Sequence, residues 1–180
     1  MKKFLIAISL AAASAFAAAN PTGFINYDQA SGDSKTLQKL LVGVAQSTSW
    51  GVLDFSVIHQ RIESSSATGA EVGLTNGVKL GPVTLRGRLS LGYGSGETED
   101  AGFYSVGAEA QVPVAQQVGL YANYLYRDAF GSSVDWSSSR ASVGLDFAVG
   151  ARTNLRVGYI SAEQGDIRFN GGTVTVAYQF

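Results

Sequence analysis

Few side chains in this sequence can do covalent chemistry. Its 180 residues contain no Cys and one His, and 13 Lys or Arg stand against 14 Asp or Glu, a net charge of −1. The absence of thiols excludes a disulfide framework, a thiolate metal site and a Cys nucleophile. Near-neutrality excludes the basic balance that draws proteins to nucleic acid. The single imidazole, His59, is followed by Gln60 and Arg61 and shares its alternation with apolar Leu53, Phe55 and Val57. That setting reads as an interfacial residue, because a general base needs a nucleophile or a second titrating group arranged around it. Glu63, Asp128 and Asp135 read as solvated loop acids. The acidic run Gly96-Glu97-Thr98-Glu99-Asp100 lacks the ligand spacing of a calcium loop. No catalytic residue, metal or cofactor is expected.

What the sequence does have is Arg, Asp and Glu set singly into apolar alternation. Val83, Leu85, Leu89, Leu91 and Tyr93 alternate with Thr84, Arg86, Arg88 and Ser90. A period of two marks a strand, whose successive side chains point to opposite faces. The pattern recurs through 104–112, 118–127, 141–149, 155–159 and 174–180. A soluble sandwich would turn the apolar face inward, and a membrane barrel turns it outward to lipid. The polar faces are rich in Gly and small residues, and charged residues make up only 15% of the chain, well below the ~25% of soluble domains. Tyr93, Tyr104, Tyr126, Tyr159, Tyr178 and Phe180 stand towards strand ends, where an interfacial aromatic belt belongs. The N-terminus reads differently: Met1-Lys2-Lys3, an apolar run over 4–13 and Ala17-Ala18-Ala19 before Asn20 form a secretory signal peptide over 1–19.

Turn signals divide the remainder, 20–180, into one domain of ten strands near 22–29, 36–46, 50–62, 69–80, 83–95, 102–114, 118–129, 138–149, 154–163 and 169–180. Eight strands are the alternative, because alternation is poorest in the first two. The fold expected is all-β, a closed antiparallel transmembrane β-barrel. Connections alternate between tight turns (47–49, 81–82, 115–117, 150–153) and longer polar segments (30–35, 64–68, 96–101, 130–137, 164–168). Tight turns on the periplasmic side and longer loops outside are the asymmetry of bacterial outer-membrane barrels. An even strand count then places both termini in the periplasm.

The C-terminus carries the most specific likeness. Val174, Val176, Tyr178 and Phe180 occupy alternate positions ending on an aromatic carboxyl terminus. This resembles the last strand of Gram-negative outer-membrane proteins, which implies recognition by the barrel assembly machinery. The mature chain resembles small porin-like and OmpA-like barrels generally, without singling out one family. Two families of barrel enzymes supply a contrast. Lipid A deacylases use a His-x-Ser pair, and here Arg61 stands where that Ser would be. Omptin proteases are ten-stranded with strands extending far beyond the membrane, for which this chain is too short.

Parity and strand direction then nominate functional positions. Asp54, Arg86, Arg88, Glu109, Tyr121, Asp146 and Arg156 face the lumen, and charges of both signs at similar depth imply an ion-pair network, since an unpaired buried Arg is costly. Such a network either fills and locks the barrel or borders a narrow polar path for ions or very small solutes. Lys35, Arg61, Arg127, Arg140 and Arg168 fall near extracellular strand ends, where Arg suits the phosphates of lipopolysaccharide. The alternative for Arg127 and Arg140 is inward pairing with acids such as Glu71. The expected function is a structural or narrow porin-like role in a monomer whose partners are outer-membrane lipids. The alternatives are a lipid A-modifying or proteolytic surface enzyme and a lipopolysaccharide-binding or adhesive protein.

Overall fold

Single charges in apolar alternation fold as the period of two demands. The computed structural model describes residues 20–96, 100–131 and 137–180, so the segment expected to be a signal peptide lies outside the described residues. Ten antiparallel strands form: β1 (Thr22–Gly32), β2 (Lys35–Thr48), β3 (Gly51–Ile62), β4 (Ser65–Leu80), β5 (Val83–Ser95), β6 (Asp100–Ala115), β7 (Val118–Ala129), β8 (Ser138–Ala148), β9 (Thr153–Gln164) and β10 (Ile167–Gln179). Each pairs with its sequence neighbours, and β10 closes on β1 with Thr22 opposite Gln179. The barrel is thus ten-stranded rather than eight-stranded, and its two termini share one end. Full closure leaves no open sheet edge, the usual liability of an all-β chain.

The register fixes how the strands tilt. From Thr22 the line of paired residues runs through Ala45, Asp54, Gly73, Ser90, Ser105, Arg127, Ser138 and Gln164 to Ile167. Ile167 lies beyond Asn170, the partner of Ser31, so the circuit meets β1 again at position 34, a shear of 12 residues. Twelve residues of shear over ten strands tilts the strands by about 40° to the barrel axis. Side chains at one height therefore come from very different positions along their strands.

The outer face is apolar. Leu89 and Leu91 stay 63% and 64% exposed in the middle of β5, and Val42, Val57, Val72, Val106, Val143 and Val174 are likewise exposed on other strands. Tyr93, Tyr126 and Tyr159 are exposed aromatics towards the far ends of their strands, with Tyr178 and Phe180 at the termini end. Two clusters of buried apolar residues lie inside the barrel, at the end away from the termini. Ile58, Ala67, Ala101, Phe103 and Ala129 form one cluster, and Ala30, Leu37, Ile160, Ala162 and Phe169 a second.

Glycine makes room for the inward aromatics. A Cβ on Gly92 would lie 2.3 Å from Cζ of Phe103 and 2.7 Å from the Ala70 carbonyl oxygen. Gly92→Ala is expected to cost about 1–3 kcal/mol by overpacking. Gly87→Ala, with nothing within 4 Å of the added Cβ, should be neutral or stabilising. Urea midpoints of the two variants against wild type check this contrast.

The expected asymmetry of the connections needs correction. Three of the five segments read as longer loops are two-residue turns, because β1, β2, β3, β4, β9 and β10 run further than alternation alone showed. Asp33 and Ser34 both take positive φ, 48° and 64°, the geometry that lets a two-residue hairpin follow strand twist. Glu63 (φ 54°) and Gly165 (φ 57°) begin equally short turns. Of these five segments, only those after β5 and β7 are longer, and the one after β5, at four residues, is no longer than the β8–β9 connection at the termini end. The segments after β5 and β7 contain Glu97, Thr98, Glu99, Asp135 and Trp136, which lie outside the described residues.

Candidate functional site

The chemistry of this barrel is gathered in its lumen, in layers of charge. Nearest the termini, β5, β6, β8 and β9 contribute Arg86, Glu109, Gln111, Asp146 and Arg156. Nη1 of Arg86 donates to Oε1 of Glu109 at 2.7 Å and to Oε1 of Gln111 at 3.0 Å. Nη1 of Arg156 donates to Oε2 of Glu109 at 2.6 Å, and its Nη2 to Oδ2 of Asp146 at 2.9 Å. Nε2 of Gln111 closes the ring onto Asp146 at 3.0 Å. Arg156 also lies over the Tyr121 ring, 4.3 Å from its centroid. The Tyr121 hydroxyl is buried with no hydrogen-bond partner among the described residues.

The next layer is centred on Glu71 of β4, only 1% exposed. Its Oε1 accepts from Nη1 of Arg88 at 3.0 Å and its Oε2 from Nη2 of Arg127 at 2.9 Å. Arg88 reaches on to Asp54, Nη2 to Oδ1 at 2.5 Å. Arg127 donates through Nε to the Ser105 hydroxyl at 3.2 Å and sits over the Phe103 ring at 4.7 Å. At about the same level Arg140 grips Asp28 across the seam where the barrel closes, Nε to Oδ2 at 2.8 Å and Nη2 to Oδ1 at 2.9 Å. This two-pronged geometry is the strong form of an Arg–carboxylate contact. Lys39 lies in this region, 8% exposed, with no hydrogen bond or ion pair among the described residues. In these layers six cations face five acids.

Beyond Arg127 and Glu71 the lumen turns apolar. Ile58, Phe103, Ile160 and Phe169 are all 0% exposed and belong to the two clusters that fill the far end. Open space lies on the other side. A cavity of about 430 Å³ occupies the middle of the lumen, and one of about 440 Å³ the termini end. Arg86 and Arg156 line both, so the bar they form with Glu109 stands between them.

The residues expected to face the lumen do so, and the structure joins Asp54, Arg86, Arg88, Glu109, Asp146 and Arg156 through ion pairs. Asp28 and Lys39 were not anticipated, because alternation is weak in β1 and β2. Glu71 reads as inward by parity, but its place between two Arg residues depends on shear. Arg127 and Arg140 are corrected as lipopolysaccharide contacts: Arg127 is 2% exposed, and both spend their guanidinium groups on lumenal acids. Lys35, Arg61 and Arg168 do lie at the far rim. Arg61 donates to the Glu63 carbonyl oxygen at 2.7 Å, and Arg168 pairs with Glu163. His59 is exposed and bonded to the Thr68 hydroxyl at 2.9 Å. Asp128 accepts from Tyr126 and Ser137. In β10, Val174, Val176 and Tyr178 are exposed on the outer face, and Phe180 packs edge-on against Tyr178 with ring centroids 5.3 Å apart.

No protein-family model matches the chain, and no curated protein matches it. Solved structures do. The chain resembles the β domain of the Bordetella autotransporter Brka at 13% identity and a TM-score of 0.51, over 89% of this chain and 98% of that one. The translocator domain of the autotransporter NalP from Neisseria meningitidis aligns over 99% of this chain and 96% of its own, at 14% identity and a TM-score of 0.48. The KdgM porin covers 87% and 99% at 14% identity and a TM-score of 0.47. The likeness to the Brka domain is one of fold: a closed antiparallel β-barrel.

Proposed function

We propose that the chain is an integral outer-membrane β-barrel with both termini in the periplasm, whose lumen is an ion-paired strut rather than a conduit. The observation that carries this reading is the inversion of the barrel: valine, leucine and tyrosine outside, charge inside. An exposed apolar surface of this extent requires lipid or a partner, and a closed barrel satisfies every strand where no water is available. The apolar filling of the far end and the Glu71 layer beneath it support a structural role over a pore. The proposed role involves no catalysis, consistent with an imidazole that faces outward onto a threonine.

The reading is tested by membrane fractionation combined with gel mobility before and after boiling. The protein should sediment with outer membranes and migrate differently when heated. A soluble periplasmic protein with no mobility shift would overturn it. Val174, Val176, Tyr178 and Phe180, in outward succession on the closing strand, are proposed as the feature read by the barrel assembly machinery.

Lipopolysaccharide contact is proposed for Lys35, Arg61 and Arg168 at the far rim. Neutralising all three together should reduce lipopolysaccharide that co-purifies with the folded barrel. Unchanged co-purification would remove the idea. The barrel is expected to be monomeric.

A further inference from the structure

The mid-lumen cavity is two-faced. Phe24, Leu41 and Val52 give it apolar lining from β1–β3, while Arg86 and Arg88 of β5, Arg140 of β8 and Arg156 of β9 bring guanidinium groups to it beside the carboxylates of Asp54 and Glu109. Its volume, about 430 Å³, lies within the range of small-molecule sites, and an apolar lining with a few convergent polar groups is their usual make-up. The four Arg residues are not equally committed: Arg140 donates through Nε and Nη2 to Asp28 and through Nη1 to Asn123. Arg88 donates through Nε, Nη1 and Nη2, and Arg156 through both Nη atoms. Arg86 donates only through Nη1 among the described residues, and its side chain is 41% exposed. Its Nε–Nη2 edge is therefore free, on the residue that stands between this cavity and the one at the termini end. That edge has the planar, two-donor shape that matches a carboxylate. Four guanidinium groups against two carboxylates in the lining favour an anion over a neutral guest.

We infer that the mid-lumen cavity is a binding site, entered from the termini end, for a compact molecule with an apolar body and a single carboxylate, the carboxylate held on the free edge of Arg86. The apolar body lies against Phe24, Leu41 and Val52. The filled far end makes the site a blind pocket, so the guest enters and leaves by the same mouth.

The test uses the folded barrel in phospholipid nanodiscs, with naphthoate as probe and naphthamide as its uncharged counterpart. Naphthoate should bind saturably at one site per barrel, with the amide about tenfold weaker, the scale of a charge-assisted pair. Arg86→Gln should bring acid and amide to similar affinity while leaving the amide unchanged. Val52→Trp and, independently, Leu125→Trp should abolish binding of both by filling the cavity. Heat-modifiable mobility of each variant reports whether the barrel itself has formed, so loss of the pocket and loss of the fold are separate results. Equal binding of acid and amide to wild type overturns the inference. So does binding that survives both tryptophan variants in folded barrels.

Discussion

Glu71→Gln should destabilise the barrel by about 3–5 kcal/mol, the cost of leaving a buried charge uncompensated. Glu71 is 1% exposed and shared between Arg88 and Arg127. Among the described residues Arg127 has no other acid, only the Ser105 hydroxyl and the Phe103 ring. Removing the one negative charge it faces leaves a guanidinium that cannot reach water. Reversible urea unfolding from lipid vesicles measures the effect. Glu163→Gln provides the comparison, because its pair with Arg168 is exposed at the rim and is worth roughly 0–1 kcal/mol. A double variant, Glu71→Gln with Arg127→Met, should recover part of the loss, since it removes both buried partners together. If Glu71→Gln unfolds at the same urea concentration as Glu163→Gln, the lumenal pairs do not hold the barrel together.

Leu89→Arg should cost about 2–4 kcal/mol on unfolding from a phospholipid bilayer. Leu89 is exposed in the middle of β5, and its cross-strand partners Leu74 and Val106 are exposed as well. A charge at that height meets hydrocarbon. Val114→Arg, close to the termini end of β6, should cost about 0–1 kcal/mol, because near the interface a long side chain reaches headgroups and water. A water-facing outer surface predicts the opposite: Leu89→Arg would be neutral and the two variants indistinguishable. The pair therefore measures the depth of the belt as well as its existence.

The ten strands and their faces were legible because a strand's side-chain period is two, so residue type alone sorts Leu89 from Arg88. Lumenal position was legible for the same reason, and it placed Asp54, Arg86, Arg88, Glu109, Asp146 and Arg156 inside. Parity says nothing about height. Which charges meet is set by the shear of 12 residues, and that emerges only when every register is known. Hence Arg140 of β8 meets Asp28 of β1 across the closing seam, a pairing of residues far apart in the chain. The same blindness to height left Arg127 and Arg140 open between lipopolysaccharide contact and inward pairing with acids such as Glu71, and the structure takes the inward alternative. The short turns were missed because Asp33, Ser34 and Glu63 are polar residues of ordinary loop type. Their positive φ values come from the strands on either side, which pair fully up to the turn. The apolar far end was missed as a unit for a similar reason. Ile58, Phe103, Ile160 and Phe169 stand on four different strands, and closure alone brings them together.

In the proposed barrel the lumen is closed by Phe103, Phe169, Ile58 and Ile160 above the Glu71 layer. Single-channel recording of the purified, folded barrel in a planar lipid bilayer tests this closure most directly. A closed lumen should give a current indistinguishable from the bare membrane, sustained over long recordings at moderate voltage. Discrete, reproducible openings from the wild-type barrel would contradict it.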